Sequence, residues 1–390
     1  MQGSTLYYNE KCMKKILVPF MLLFLACCQE HHDENSIEID FDNAPYIAFE
    51  EAIDSFYIKP VYSDYPLSKI NRIERYGDQF FMMDISSRII YYMSGDSIRS
   101  KLDSFGRGHG EYQSIRTFTY SEDDSLLFVY SSSDKKIMCY KVPTFDYISQ
   151  IPFTYNMSCM RYWEGNLIAI CSTRNVESSR SNGIYSINVK TGETTLLRAM
   201  DYFNVYLADN LSFFTKENDL YFFSSGFDNT IIKYSSGELT DVCKYHYGKL
   251  NLRKGFFDVD ETDSNQYVER LLELYDCNYS IGGFGGNLKD SVNYSFWCSK
   301  SEERYIFYYK VSVVDSNPLV YHIYIPNLVT QVCPDNIYEG WCTQIIDESN
   351  VDWGEGQVHT EGVGLLIDQA LKKQTYDNPI MLCYKFKYEF

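Results

Sequence analysis

The sequence predicts an all-β chain, a six-bladed β-propeller of four-stranded antiparallel blades with short helical insertions in its C-terminal third. Three observations carry that prediction. Pairs of short apolar runs recur at a spacing of 40 to 50 residues, the repeat length of propeller blades. Aromatic residues reach 17%, with 36 Tyr and 25 Phe, which suits strands with one wet and one buried edge. A glycine step, Phe105-Gly106-Arg107-Gly108-His109-Gly110-Glu111-Tyr112, separates two of the apolar clusters where the chain has to pass from one sheet to the next.

The runs come in order. Gln79–Asp84 pairs with Ile89–Tyr92, Ser125–Tyr130 with Ile137–Tyr140, Asn166–Cys171 with Gly183–Ile187, and Asp219–Phe223 with Thr230–Tyr234. Aligning Tyr92, Tyr140, Tyr185 and Tyr234 gives intervals of 48, 45 and 49 residues. Each unit is too small to bury its own faces and has to pack on its neighbours. Over Val259–Tyr275 the spacing of Val268, Leu271, Leu272 and Tyr275 predicts a short amphipathic helix, with a glycine turn at Gly282–Gly286 after it. Tyr294–Cys298, Arg304–Val311 and Leu319–Ile325 form a fifth blade. Trp341–Ile346, a helical stretch Leu365–Lys373 and a final strand Ile380–Lys387 form a sixth. An open ring would leave strand edges exposed, so Asp54–Tyr62 is expected to join the C-terminal strands in one composite blade.

The amino terminus reads as an address. From Met13, which is also a candidate start in place of Met1, two lysines precede the apolar run Ile16–Ala26 and then Cys27-Cys28. That is a secretory signal, too short for a permanent bilayer span. Its end, Phe24-Leu25-Ala26-Cys27, resembles a bacterial lipobox with Cys27 as the lipidated residue and Cys28 as the alternative. Residues 1–27 are therefore read as signal peptide, 28–44 as a flexible acidic tether and 45–390 as the propeller. The expected location is the outer membrane, surface-exposed or periplasm-facing, held only by the N-terminal lipid.

Charge narrows the partners. With 53 acidic and 35 basic side chains the chain carries −18, and loss of residues 1–27, with Glu10 against Lys11, Lys14 and Lys15, moves this to −20. Such a field repels phosphate backbones and excludes nucleic acid as an expected partner. The nine cysteines after the signal have no C-x-x-C spacing, so neither zinc nor a redox pair is indicated, and mostly buried free thiols are expected. No phosphate-cradling, calcium-loop or nucleophile-elbow motif occurs. Carboxylate pairs such as Asp123-Asp124 and Glu302-Glu303 lie in polar turns, where solvated loop tips outnumber acid–base dyads. No catalytic residue, metal or cofactor is assigned.

The glycine step could instead form a nest of backbone N–H groups that holds an anion, assisted by Arg107 and His109. Against that stand Glu111 and the ordinary use of glycines as blade connectors. Trp341 and Trp353 flank an acidic, glycine-bearing segment, Asp347–Glu361, and are candidate stacking contacts for a ligand at a channel mouth, as are Trp163 and Trp297.

The step Gly106-Arg107-Gly108-His109-Gly110-Glu111-Tyr112 resembles the G-x-G-P-G-E-Y turn of the six-bladed, NHL-like β-propeller lipoproteins of gut-type Gram-negative bacteria, with His109 where proline is usual. Asp377-Asn378-Pro379-Ile380-Met381-Leu382 is similar to that family's terminal N-P strand. The likeness spans residues 45–390. It implies the fold and a lipoprotein address, and implies no activity, because fold does not settle function. The expected role is a binding or scaffold module for a protein, peptide or glycan. The alternative is a glycan-acting hydrolase or lyase at the mouth of the central channel.

Overall fold

The computed structural model describes residues 36–40, 43–171, 182–200, 213–216, 219–223, 230–247, 269, 279–287, 292–299, 306–312, 315–325, 334–348 and 362–387. Among these, six sheets follow in chain order. Blade 1 is Arg72–Tyr76, Gln79–Asp84, Ile89–Ser94 and Ser97–Leu102. Blade 2 is Thr117–Ser121, Leu126–Ser131, Lys136–Lys141 and Asp146–Pro152. Blade 3 is Met157–Trp163, Asn166–Cys171, Gly183–Asn188 and Thr194–Ala199. Blade 4 is Phe214–Lys216, Asp219–Phe222, Thr230–Ser235 and Glu238–His246. Blade 5 is Tyr279–Asn287, Val292–Ser299, Ile306–Ser312 and Asp315–Tyr324. Blade 6 takes Asn336–Tyr338, Trp341–Ile346 and Ile380–Phe386 from the C-terminal end, and its fourth strand, Ile53–Pro60, from the N-terminal end.

The blades hold together through the alternation of each strand. Phe81 and Met83 enter a buried layer with Phe118, Leu127, Val129 and Met138 of blade 2, whereas Phe80 and Met82 join Met381 and Cys383 of blade 6. The same division puts Phe128 and Tyr130 toward blade 3, and Ile168 and Ile170 toward blade 4. Period-two side chains thus let one strand seal two interfaces. Each fully buried aromatic or Met contributes about 1.5–3 kcal/mol. The first strand of each blade is innermost, and those of blades 2 and 3, 4 and 5, 5 and 6, and 6 and 1 neighbour one another.

The composite sixth blade is present as expected. Ile53–Pro60 runs antiparallel to Ile380–Phe386, with Leu382 opposite Ile58 and Tyr384 opposite Phe56. Helix α1, Phe49–Ala52, enters this strand, and α2, Gly362–Leu371, lies between the second and third strands of the blade, starting three residues before the expected Leu365.

Three expectations need correction. The tether predicted over 28–44 is shorter, because Ser36–Glu38 adds a fifth strand to blade 4 and Ile39 is buried. The Ile39 amide donates to the His246 carbonyl at 2.9 Å, and His246 Nδ1 lies 2.9 Å from Glu38. Alternate Ile37 and Ile39 supply the apolar face that a tether lacks. Second, Gly282–Gly286 is no turn but part of the inner strand of blade 5, with a register shift between Ile281 and Gly283, a place where glycine accommodates a bulge. Third, Tyr92 is out of phase with the other aligned tyrosines. Tyr140 and Tyr185 both face the preceding blade, but Tyr92 faces blade 2, and Tyr91 fills the equivalent layer against blade 6. A one-residue offset reverses the face in a strand. The helix expected over Val259–Tyr275 lies outside the described residues apart from Glu269, which is helical.

The N-terminal segment therefore runs along the outer edges of successive blades. After Ser36–Glu38 on blade 4, Tyr46–Ala48 pairs in parallel with Asp315–Tyr324 of blade 5. The chain then forms the outer strand of blade 6, and Tyr62 bridges to Ser97 on the outer strand of blade 1. Cys139, Cys171, Cys342 and Cys383 are buried free thiols and Cys243 is a partly buried one, as the sequence led one to expect for these positions.

Candidate functional site

The glycine step forms the passage from blade 1 to blade 2 and is filled by its own chain. The Gly108 amide donates to Glu111 Oε2 at 2.6 Å, so the carboxylate occupies the position an external anion would need. A Cβ on Gly106 would lie 1.9 Å from that same oxygen. Only Gly110 of the three glycines has left-handed backbone, at φ +76°, and its missing Cβ leaves room for the Tyr147 ring. Tyr112 is buried, with its hydroxyl donating to the carbonyls of Arg88 (2.8 Å) and Leu102 (3.1 Å). Arg107 is exposed and its Nε donates to Gln113 Oε1 at 3.2 Å, while His109 meets the Tyr147 ring edge-on at 4.7 Å. We expect Gly110→Ala to cost about 2 kcal/mol, since it forces a side chain into αL beside a ring. Gly106→Ala should cost about 1 kcal/mol, because the Glu111 carboxylate can swing aside at the loss of one hydrogen bond. Urea unfolding of the two variants checks both the order and the sizes.

The two stacking candidates whose side chains are described lie at different blade interfaces. Trp341 lies inside the blade 6–blade 1 interface, with Arg75 and Lys385 over its ring at 5.5 and 4.9 Å and Tyr57 edge-on at 5.1 Å. Trp163 ends the inner strand of blade 3 and packs on the layer toward blade 4. Cys27, Cys28 and Trp353, and the Trp297 side chain, lie outside the described residues.

A different cluster converges on the axis. Arg72, Glu74 and Tyr76 alternate along the inner strand of blade 1 and so share one face. Glu74, only 4% exposed, accepts from Arg72 Nη2 at 2.5 Å and from the Tyr76 hydroxyl at 2.5 Å. Arg161, from the inner strand of blade 3, reaches past blade 2 to Tyr76 (2.8 Å) and Glu74 (3.5 Å), with its guanidinium 4.8 Å from the centre of the Tyr76 ring. Arg72 Nη1 donates to Thr117 of blade 2 at 2.7 Å, and Thr119 Oγ1 lies 3.4 Å from the Tyr76 hydroxyl. Burial opposes the charge of Arg161, but the oxygens of Tyr76, Glu74, Glu122 and Tyr338 around it hold its guanidinium above its ordinary value.

The outward side of this cluster is acidic and aromatic. Tyr338 ends the inner strand of blade 6, and its hydroxyl donates to Glu122 Oε2 at 3.4 Å. Desolvation, with Glu122 and Glu339 close by, pushes the Tyr338 hydroxyl up to about 12. Desolvation also raises the Glu122 carboxyl, against the pull of Arg161, and Asp123 and Glu339 add to the rise. Glu122, Asp123 and Glu339 are exposed. Blades 1, 2 and 3 thus share an axial floor of paired charges, beside which Tyr338 of blade 6 meets the exposed carboxylates Glu122 and Glu339. No metal-holding cluster of His, Cys, Asp or Glu occurs among the described residues.

At the start of the same blade 6 strand, Asp335 accepts from the Ile345 amide at 2.7 Å, and burial pushes its carboxyl up to about 6 from 3.8. The folded form therefore binds more protons than the unfolded chain between pH 4 and 6, and this contribution to stability fades as pH rises through that window. Asp335→Asn should raise stability by about 1–2 kcal/mol at pH 7 and leave it unimproved at pH 4. Thermal unfolding at the two pH values reads the difference.

Sequence reasoning named Asp123 only as half of a solvated pair and did not single out Arg72, Glu74, Tyr76, Glu122, Arg161 or Tyr338. The available signal was charge at alternate positions inside an apolar-flanked strand, Arg72-Ile73-Glu74-Arg75-Tyr76, which a buried strand carries only when its charges are paired.

No curated protein matches this chain. Two solved structures share its fold. One is a protein of Bacteroides fragilis described as exported, at 13% identity and TM-score 0.66, covering 90% of this chain and 99% of that one. The other is a member of the duf4221 family from Bacteroides vulgatus, at 10% identity and TM-score 0.53, covering 86% of this chain and 97% of that one. At these identities the likeness is one of fold. Residues 28–283 match the family described as 6-bladed beta-propeller, and with the six sheets in chain order and the ring closed by strands from both ends, the chain belongs to that family.

Proposed function

We propose that the protein is a lipid-anchored, extracytoplasmic binding module whose partner meets the axial mouth formed by Tyr338, Glu122, Asp123 and Glu339. The observation that carries this reading is the division of the axial cluster into a floor and a rim. In the floor Glu74 is consumed by Arg72, Arg161 and Tyr76, and on the rim Glu122 and Glu339 stand beside Tyr338, with Asp123 next to Glu122. Carboxylates beside an aromatic ring suit a basic side chain, so a protein or peptide presenting Lys or Arg fits better than a neutral glycan. The hydrolase reading draws on the raised carboxyl of Glu122, and Glu74 is unable to serve it as a second carboxylate because it is held by two guanidiniums and a phenol.

Addresses at the outer membrane and lipidation of Cys27 or Cys28 belong to the same proposal, and rest on the basic, apolar and small-residue order of residues 13–28. Mass spectrometry of the mature amino terminus identifies the acylated cysteine. The binding role is tested by pull-down from envelope extract and by a glycan array, each repeated with Glu122→Ala and Tyr338→Ala. We expect a protein partner whose retention falls at least tenfold in both variants while unfolding midpoints stay close to that of the parent. No partner above background on either platform, or a partner indifferent to both substitutions, overturns the reading.

A further inference from the structure

We propose a second binding site at the outer edge of blade 6, a groove that takes an extended, acidic–apolar peptide as an added β-strand. A cleft of about 440 Å³ runs between Ile53–Pro60 and α2. Phe56, Tyr57 and Ile58 all line it. Successive strand residues point to opposite faces, so a cleft touched by three in a row lies along the backbone edge of the strand and not over one face. Leu366 and Ala370 of α2 form the facing apolar wall, and Leu366 is 44% exposed.

The occupant follows from the neighbouring blades. On blades 4 and 5 the outermost strand of the repeat is covered by a further strand, Ser36–Glu38 and Tyr46–Ala48 respectively. On blade 6 Ile53–Pro60 ends the sheet, and among the described residues nothing pairs with its outer edge. Backbone N–H and C=O groups along such an edge are a template for another strand. Phe56 to Pro60 offers about 17 Å of it, enough for four or five extended residues. The polar groups at the cleft select the chemistry. Gln374 lines the cleft, and its Oε1 has no hydrogen-bond partner among the described residues. Lys373 is exposed at the rim, and no ion pair engages it among the described residues, so in a chain of net charge −18 it offers a local site for a carboxylate. Pro60 at the end of the strand limits how far an added strand can extend.

The test uses the folded chain and a phage-displayed library of random seven-residue peptides as probe. Enriched peptides should alternate apolar residues with polar ones and carry an Asp or Glu. As synthetic peptides they should bind at least tenfold more weakly to Ala370→Glu, which fills the cleft, and to Lys373→Glu. Leu196→Asp, on the exposed outer strand of blade 3, should bind like the parent. Methylating alternate peptide amides should abolish binding, and bound peptide should slow hydrogen exchange at amides 55–59. No enrichment, binding that Ala370→Glu leaves intact, or binding indifferent to amide methylation overturns the proposal. Because Glu122→Ala and Tyr338→Ala should leave this binding unchanged, its failure is separable from failure of the axial site.

Discussion

Replacing Glu74 by alanine should destabilise the protein by about 3–5 kcal/mol, the range for removing one member of a buried ion pair. The carboxylate is the common acceptor for Arg72, Arg161 and the Tyr76 hydroxyl, so its removal leaves two guanidiniums and a phenol near the axis without their shared partner. The loss should exceed that of Arg72→Ala, because Arg72 supplies one contact to Glu74 and one to Thr117 whereas Glu74 receives three. Glu74→Gln retains an acceptor and should recover part of the loss. Equilibrium unfolding in guanidinium chloride measures all three. A Glu74→Ala cost below about 1 kcal/mol would show that the axial network fills space without holding blades 1, 2 and 3 together.

The second large effect is expected from Phe49→Ala, at about 3–5 kcal/mol. Phe49 in α1 is fully buried, meets Tyr384 of the last strand edge-on at 5.1 Å and Phe56 at 6.3 Å, and packs in the same layer as Val363 and Ile367 of α2. Removing its ring opens a cavity where the two ends of the chain meet, so the loss should appear first as faster hydrogen exchange in Ile53–Pro60 and Ile380–Phe386. Tyr324→Ala, an exposed aromatic on blade 5, should change stability by less than about 0.5 kcal/mol. Equal losses at the two positions would sink the idea that closure resides in this layer.

Much of the architecture was legible because it depends on pattern. Phe80-Phe81-Met82-Met83 and Leu127-Phe128-Val129-Tyr130 are continuous apolar runs of strand length, which only sheets buried on both faces require. The composite blade was legible for a negative reason, in that a ring without it has open edges. What escaped was local or long-range. Ser36–Glu38 is three residues long and is fixed by a partner, His246, that lies 208 positions away, so no window on the sequence contains both. The face of Tyr92 escaped because a repeat of 45 to 49 residues fixes a position only to within a residue or so, and one residue is enough to invert a strand. The axial site escaped for a related reason. Arg161 and Glu74 are each ordinary charged residues, and their meaning comes from ring geometry that brings blade 3 within reach of blade 1.

The seating of Ile380–Phe386 between Trp341–Ile346 and Ile53–Pro60 has a consequence for how the molecule is made. The N-terminal partner emerges more than 300 residues ahead of the strand that receives it, and at 5–20 residues per second it waits on the order of half a minute for its match. Joining the two ends carries a loop-closure penalty of about 5 kcal/mol, so the docking step should be late and slow compared with assembly of blades 1 to 3. Until then both edges of Ile53–Pro60 are unpaired, and an unpaired edge is a template for strands of other chains.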